Sequence, residues 1–390
     1  MTYGFEDQLA LRGTHASKYD SLMKVFGVDD PDAIPMWVAD MDFPAAPAIR
    51  TALSKEVERG YFGYFGGPDA ANDAVAGWYR RRHGWTFDAS WVRYTHGVIS
   101  GFGDALAACT APGDAIVLFS PVYHAFYRQA DAMGRKVLES PLRIENGRFE
   151  LDLDGLSVAL TENVRLVVLC SPHNPGGRVW SAEEIRQVAD FCLERGLFLI
   201  SDEIHMDLLF PGETFVPTAV AAPQIAERLV VLSAASKGFN LAGAETGFLV
   251  TPDRALRKKL DAVILDREST PNRFGMAALT AAFTECDDWS DAVRAYLAEN
   301  FRVFSDRMNA LAGISVMDMT STYLAWVDFA PLGMSDPEIL RRIVEAGVVP
   351  SPGTQFGTGG AGHMRFNFAL PRPTLETAIG RLEDAFRDIQ

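Results

Sequence analysis

The sequence predicts an α/β protein: a large domain built on a mostly parallel sheet with helices on both faces, and a smaller α/β domain beside it. Three observations predict this. Between about residues 50 and 290, short apolar runs alternate with helical patterns, as successive β–α units require. Several of those runs empty into polar or glycine-bearing loops, the place where open α/β sheets bind ligands. From about residue 290 the texture changes to one long helical stretch followed by shorter strand–helix alternation.

The strand-like runs are IVLFS (116–120), RLVVLC (165–170), LFLISDE (197–203), LVVLS (229–233) and GFLV (247–250). Continuous apolar runs of this kind suit strands covered on both faces. Between the second and third lies SAEEIRQVADFCLERG (181–196), where Ser181 reads as a helix N-cap, the acids after it suit the helix dipole, and Gly196 ends the helix. Residues 287–313 form the long helical stretch and STYLAWVDF (321–329) the next strand. This organisation divides the chain into an N-terminal segment (1–48), a large domain (49–289) and a small C-terminal domain (290–390).

With 48% hydrophobic and 22% charged residues in 390, the chain has ample material for a large core and is neither disordered nor fibrous. A formal charge of −15 without any dense Lys/Arg run argues against binding nucleic acid through its phosphates. Cys109, Cys170, Cys192 and Cys286 form no CxxC pair and read as reduced, mostly buried thiols. The start MTYGFEDQLALRG has no apolar core of signal-peptide length and no run reaches a membrane span, so a cytoplasmic, non-membrane protein is expected.

Chemistry concentrates at the strand ends. Lys237 in SAASKGFN follows the run LVVLS, where a Schiff-base lysine would be placed: leaving a strand end, partly desolvated, among small neighbours. An isolated lysine there is usually a solvated surface residue, but three further motifs argue otherwise. LVVLCSPHNPGGR (166–178) delivers Asn174 in a tight loop, GLFLISDEIHMDL (196–208) delivers Asp202 and Glu203 at a strand's polar end, and YTHGVISGFGDALAA (94–108) places glycines before a helical pattern whose free N–H groups suit a phosphate. Together these are the parts that hold pyridoxal phosphate: an amine for the aldehyde, an acid for the ring nitrogen, an amide for the phenolic oxygen and a helix start for the phosphate. His205 beside Asp202 and His173 suggests a metal, but no HExxH or paired Cys/His spacing is present, so no metal is expected.

On MWVADMDFP (36–44), FGY (62–64), SPVYHAF (120–126), SPHNPGGRVW (171–180), SDEIHMDL (201–208), SKGFNLAG (236–243), SPGTQFG (351–357) and MRFNFALPR (364–372), the chain resembles the fold-type I pyridoxal-phosphate enzymes of the aminotransferase class I/II superfamily. Within them it is most similar to the carbon–sulfur lyase group of cystathionine β-lyase and the maltose-regulon modulator. The resemblance implies a seven-stranded sheet in the large domain, completion of the small domain by the N-terminal segment, and a homodimer with shared sites. It implies that Lys237 carries the cofactor and moves the substrate's α-proton, with Asp202 on the ring nitrogen and Asn174 on the phenolic oxygen. Asn174 also reads as a turn residue. Tyr123 is expected to stack on the ring, with a core tyrosine as the competing reading. Val98 and Ile99 would offer backbone N–H groups to the phosphate, and Ser233 and Ser236 hydroxyls. Tyr64 would reach the phosphate of the other subunit, Arg365 would take the substrate carboxylate, and His205 would join a network below the ring.

The activity implied is β-elimination from L-cystathionine or a related cysteine S-conjugate. Transamination is the alternative, and an added regulatory protein-binding role a third reading. Two places depart from the family. Glu245 stands eight residues after the lysine, where many aminotransferases carry a phosphate-neutralising arginine, and RESTPNRFG (267–275) differs in wording at the substrate rim.

Overall fold

A computed structural model describes residues 3–389; positions 1 and 2 of the expected N-terminal segment, and position 390, lie outside the described residues. Seven strands form the main sheet: β1 (Val92–Thr95), β2 (Ala115–Ser120), β3 (Lys136–Pro141), β4 (Val164–Cys170), β5 (Phe198–Asp202), β6 (Leu229–Ser233) and β7 (Gly247–Val250). They lie side by side in the order β1-β7-β6-β5-β4-β2-β3. β3, β2, β4, β5 and β6 pair in parallel. β7 runs antiparallel to both its neighbours, β6 and β1. The sheet is therefore mostly parallel, as the alternation predicts.

All five expected runs are strands: β2, β6 and β7 are buried along their whole length and β4 and β5 at all but one residue each, which is why their sequences do not alternate. The two strands the pattern does not single out are the edges, β1 and β3. β1 has only four residues, and β3 is largely exposed or half-buried, so neither carries a continuous apolar run. Side chains leave the sheet alternately toward two cores. Ile116, Leu118, Val168, Ile200 and Leu232 face one side with helix α1 (Val98–Cys109), while Val117, Val167, Leu199 and Val231 face the other.

Helix α2 (Ala182–Glu194) starts with a full capping box, in which the Ser181 side chain accepts from the Glu184 N–H and the Glu184 carboxylate accepts from the Ser181 N–H. Gly196 follows it with φ +66, the left-handed conformation in which glycine avoids a Cβ clash. The long helix is α3 (Asp287–Asn309). Beyond it, β8 (Ser315–Val316), β9 (Leu324–Asp328), β10 (Ser351–Pro352) and β11 (His363–Asn367) form an antiparallel sheet in the order β8-β9-β11-β10. The N-terminal part joins this C-terminal region directly: Ile34–Pro35 pairs in parallel with Val348–Val349, and the Asn367 N–H donates to the Met36 carbonyl at 2.7 Å. All four cysteines are free and buried. Among the described residues no helix is long and apolar enough to cross a membrane.

Candidate active site

The carboxyl ends of β2, β4, β5 and β6 and the start of α1 surround a cavity of about 350 Å³. Val98, Ile99, Tyr123, Asn174, Asp202, His205, Ser236 and Lys237 all line it, although they are spread over 140 positions of sequence. Asp202 is the last residue of β5 and Lys237 lies on the short turn of helix after β6. The parallel pairing of β5 with β6 carries both chain segments to the same end of the sheet.

The electrostatics are those of two groups held away from their ordinary states. Burial pushes the Asp202 carboxyl up to about 7; one N–H, from Ile204 at 3.2 Å, and the nearby Lys237 oppose this only in part. A buried carboxyl in that condition lacks a cationic partner. Burial also pulls the Lys237 amine down to about 8, with Asp40 the largest opposing influence. Its Nζ donates to the Ala39 carbonyl at 2.6 Å. An amine so depressed reaches its neutral, nucleophilic form near neutral pH.

The first turn of α1 meets the cavity uncapped: Gly97, with φ +89, is the N-cap and no side chain bonds the helix start. The N–H groups of Val98 and Ile99 thus remain available to an anion, while the Val98 side chain itself is buried in the core. β7 crosses close behind. A Cβ on Gly247 would come within 2.7 Å of the Gly97 backbone and 2.9 Å of the Val98 nitrogen, so only glycine lets strand and helix start approach this closely.

Asn174 is oriented by Arg365, whose Nη1 donates to its Oδ1 at 3.1 Å, which leaves the amide N–H groups to serve the cavity. Arg365 does not line the cavity; it stands buried one layer behind, its Nη2 donating to the Trp37 carbonyl at 2.8 Å and its Nε without a partner. Burial lowers His205 to about 3 and leaves its Nδ1 unpartnered, so the ring is neutral under the cavity floor. Glu203 faces the other side of the sheet, accepting from the Thr218 N–H at 2.9 Å and the Ser201 hydroxyl at 3.1 Å, which separates it from Asp202 and His205.

Ser233 is a correction. Its hydroxyl is fully buried on the face opposite the cavity, donating to the Glu203 carbonyl at 3.3 Å, because strand alternation sends it to the same side as Val231. Of the two serines only Ser236 reaches the site. Tyr64 lies outside the cavity of its own chain and is wholly exposed, its carbonyl accepting from Arg273 at 3.0 Å. Sequence reasoning missed His96, Cys170, Ile204 and Thr246, which also line the cavity, and the Ala39 carbonyl. Cys170 pairs in register with Asp202 across β4 and β5, so counting back from the acid finds it. Glu245 also lines the cavity, exposed and in a left-handed conformation with φ +42.

A mostly parallel sheet whose strand ends gather a depressed amine, a buried acid and an uncapped helix start defines a cofactor-dependent α/β enzyme. The chain belongs to the aminotransferase class I and II family, whose profile matches residues 32–382. It is 37% identical over 378 residues to the cystathionine beta-lyase PatB of Bacillus subtilis, covering 96% of this chain and 97% of that one. It is 30% identical to the protein MalY of Escherichia coli, each chain covered in full. The crystal structure of cystalysin from Treponema denticola, which contains a pyridoxal 5'-phosphate cofactor, superposes with a TM-score of 0.96 at 28% identity over 100% of both chains. The residues present fit that cofactor: the amine, the unpaired acid, the oriented Asn174 amide and the free α1 N–H groups are the four complements it requires.

Proposed function

We propose that this chain is a pyridoxal-phosphate-dependent carbon–sulfur β-lyase that converts L-cystathionine or a related cysteine S-conjugate into pyruvate, ammonia and a thiol. The observation that supports it most is the joining of the Lys237 amine and the buried Asp202 carboxyl in one cavity of a chain whose relatives include a cystathionine β-lyase. Bound pyridoxal phosphate supplies an electron sink for bonds at the substrate's α-carbon.

The protein's residues do the rest. Lys237 holds the cofactor, takes the α-proton onto its Nζ and keeps it available for the departing sulfur. Asp202 holds the proton on the ring nitrogen, its raised carboxyl relieved by that cation. Asn174 donates to the phenolic oxygen, Val98 and Ile99 donate to the phosphate with Ser236 beside them, and Tyr123 covers the ring. Arg365 stands one layer behind Asn174 with its Nε unpartnered, and in this reading the substrate carboxylate reaches past Asn174 to it, a task for which a planar guanidinium is built. The Cβ–S bond breaks, sulfur leaves as the thiol with one proton, and water releases the three-carbon remainder as pyruvate and ammonia. In this reading the enzyme is a cytoplasmic homodimer, Tyr64 serves the partner's site, and the domains divide at about residues 48 and 289.

Transamination is the second reading, favoured by the family to which the chain belongs. The two separate cleanly in one experiment. Cystathionine incubated with the holoenzyme and no keto acid yields pyruvate and thiol in equal amounts; faster turnover of ordinary amino acids with a keto-acid acceptor than of every cysteine conjugate overturns the lyase assignment.

A further inference from the structure

Residues 37–43 pass directly behind the Lys237 amine, and side chains from both halves of the chain pin their backbone. The Trp37 carbonyl accepts from Arg365 at 2.8 Å and from Ser351 at 2.9 Å. The Val38 and Asp40 carbonyls accept from Asn367 at 2.6 and 2.5 Å, and the Ala39 carbonyl from Lys237 at 2.6 Å and Tyr323 at 3.0 Å. Asn240, three residues beyond the lysine, donates to the Met41 carbonyl at 2.7 Å and accepts the Met41 N–H at 2.9 Å. No ordinary strand pairing needs so many side-chain donors, and the effect is to fix this segment against the lysine.

Within it stands Asp40. The buried ammonium of Lys18 lies 3.5 Å from its Oδ1 and 3.0 Å from the Asp42 carboxylate, whose other oxygen accepts from Tyr19 at 2.5 Å. The Asp40 Oδ1 is sealed from solvent and accepts no hydrogen bond. The charged and titratable groups around the Lys237 nitrogen are Asp40 and Asp202 as anions, Arg365 as the cation, and His205, Tyr323 on the same Ala39 carbonyl and Tyr123 across the cavity, all three neutral through burial. Asp202 has another partner once the cofactor ring is in place. Asp40 is then the anion left to the lysine.

We propose that Asp40 is a positioning residue for Lys237: its carboxylate, held by Lys18 next to the residue whose carbonyl receives the amine, stabilises the protonated form of the lysine nitrogen once that nitrogen has taken a proton. This rests on the reading of Lys237 as the cofactor's lysine. It gives the proton taken from the substrate a stable seat at Nζ, from which the leaving sulfur draws it. The same anion raises the amine against the effect of burial.

The test reads the holoenzyme's absorbance against pH, which reports protonation of the lysine-linked nitrogen and not turnover, after borohydride reduction and peptide mapping have located the attached cofactor. Asp40→Asn should lower the protonation midpoint by about one pH unit, the scale for removing one nearby opposite charge. Lys18 keeps Asp42 as a partner at 3.0 Å, so this variant strands no buried ammonium. Asp40→Ala should give the same shift, and Asp40→Glu should restore the wild-type midpoint. An unchanged midpoint in both uncharged variants, with the cofactor on Lys237, overturns the role of Asp40 alone. An equal shift in Asp40→Glu does so too, since shape would then matter and charge would not. Cofactor mapped to another lysine overturns both this inference and the reading beneath it.

Discussion

Replacing Asp202 with asparagine should stabilise the cofactor-free protein while disabling the loaded enzyme. Folding raises this carboxyl from its ordinary 3.8 to about 7. At about 1.4 kcal/mol per pKa unit, the ionised form costs the empty fold about 4 kcal/mol. Because the folded value is the higher one, the cost is absent below the unfolded value, grows between the two, and is complete above the folded value. Asparagine keeps the shape, accepts from the Ile204 N–H as the carboxylate does, and never ionises. With an unfolding entropy of about 0.8 kcal/mol/K for a chain this long, the variant should melt roughly 5 °C higher than wild type at about pH 8, and by about half that margin at about pH 5.5. With cofactor bound the sign reverses in function, because the ring nitrogen loses its anion, and turnover should fall at least on the order of 10²-fold. The assay pairs melting curves of stripped protein at the two pH values with turnover of reconstituted enzyme. A variant that melts no higher at alkaline pH, or a margin that does not shrink on acidification, refutes the burial argument; near-normal turnover of cofactor-loaded protein refutes the ring contact.

Arg365→Lys should lower kcat/KM for cystathionine roughly 30-fold, the loss of one charge-assisted pair worth about 2 kcal/mol, seen mainly as a raised KM; an unchanged KM would show that the substrate carboxylate binds elsewhere. Mixing Tyr64→Ala chains with Lys237→Ala chains should restore activity to otherwise inactive preparations, since one hybrid site then has both residues intact. Absence of recovery, with heterodimers demonstrated by mass, counts against a shared site.

What the sequence makes legible is side-chain chemistry placed at strand ends. Lys237, Asp202 and Asn174 are readable because each follows a continuous apolar run, and β4, β5 and β6 run parallel, so such residues gather at one end of the sheet. Parity is harder to read. Ser233 closes β6, and one residue's difference in alternation decides whether its hydroxyl meets the cavity or the Glu203 carbonyl. Depth is hidden too: Arg365 stands behind Asn174 because β11 lies in a second sheet, whose packing against the first no local pattern encodes. The Ala39 carbonyl carries no residue signature, since a backbone oxygen belongs to every amino acid and only the fold brings this one within 2.6 Å of the lysine.

The balance of charge around the cavity gives the proposed dimer a physical motive. Asp40 and Asp202 stand against Lys237 and Arg365, so the protein's own groups nearly cancel before any cofactor arrives. In the proposed complex a phosphate at the α1 start would add up to two negative charges, while Glu245 also lines the cavity and, among the described residues, no arginine does. The helix start offers about half a unit of positive charge, too little to offset that alone. The exposed segment around Tyr64, its backbone held out by Arg273, therefore matters for more than one hydroxyl. In the proposed dimer a second chain would bring further donors to the phosphate and exclude water, which strengthens each N–H bond from Val98 and Ile99 and the opposition of Glu245 alike. Glu245→Gln would remove the opposing charge without touching the aldehyde or ring contacts. Its cofactor dissociation constant should fall several-fold, and more at low salt than at high salt; equal binding by the variant and the wild type across that range would mean that Glu245 turns away from the phosphate.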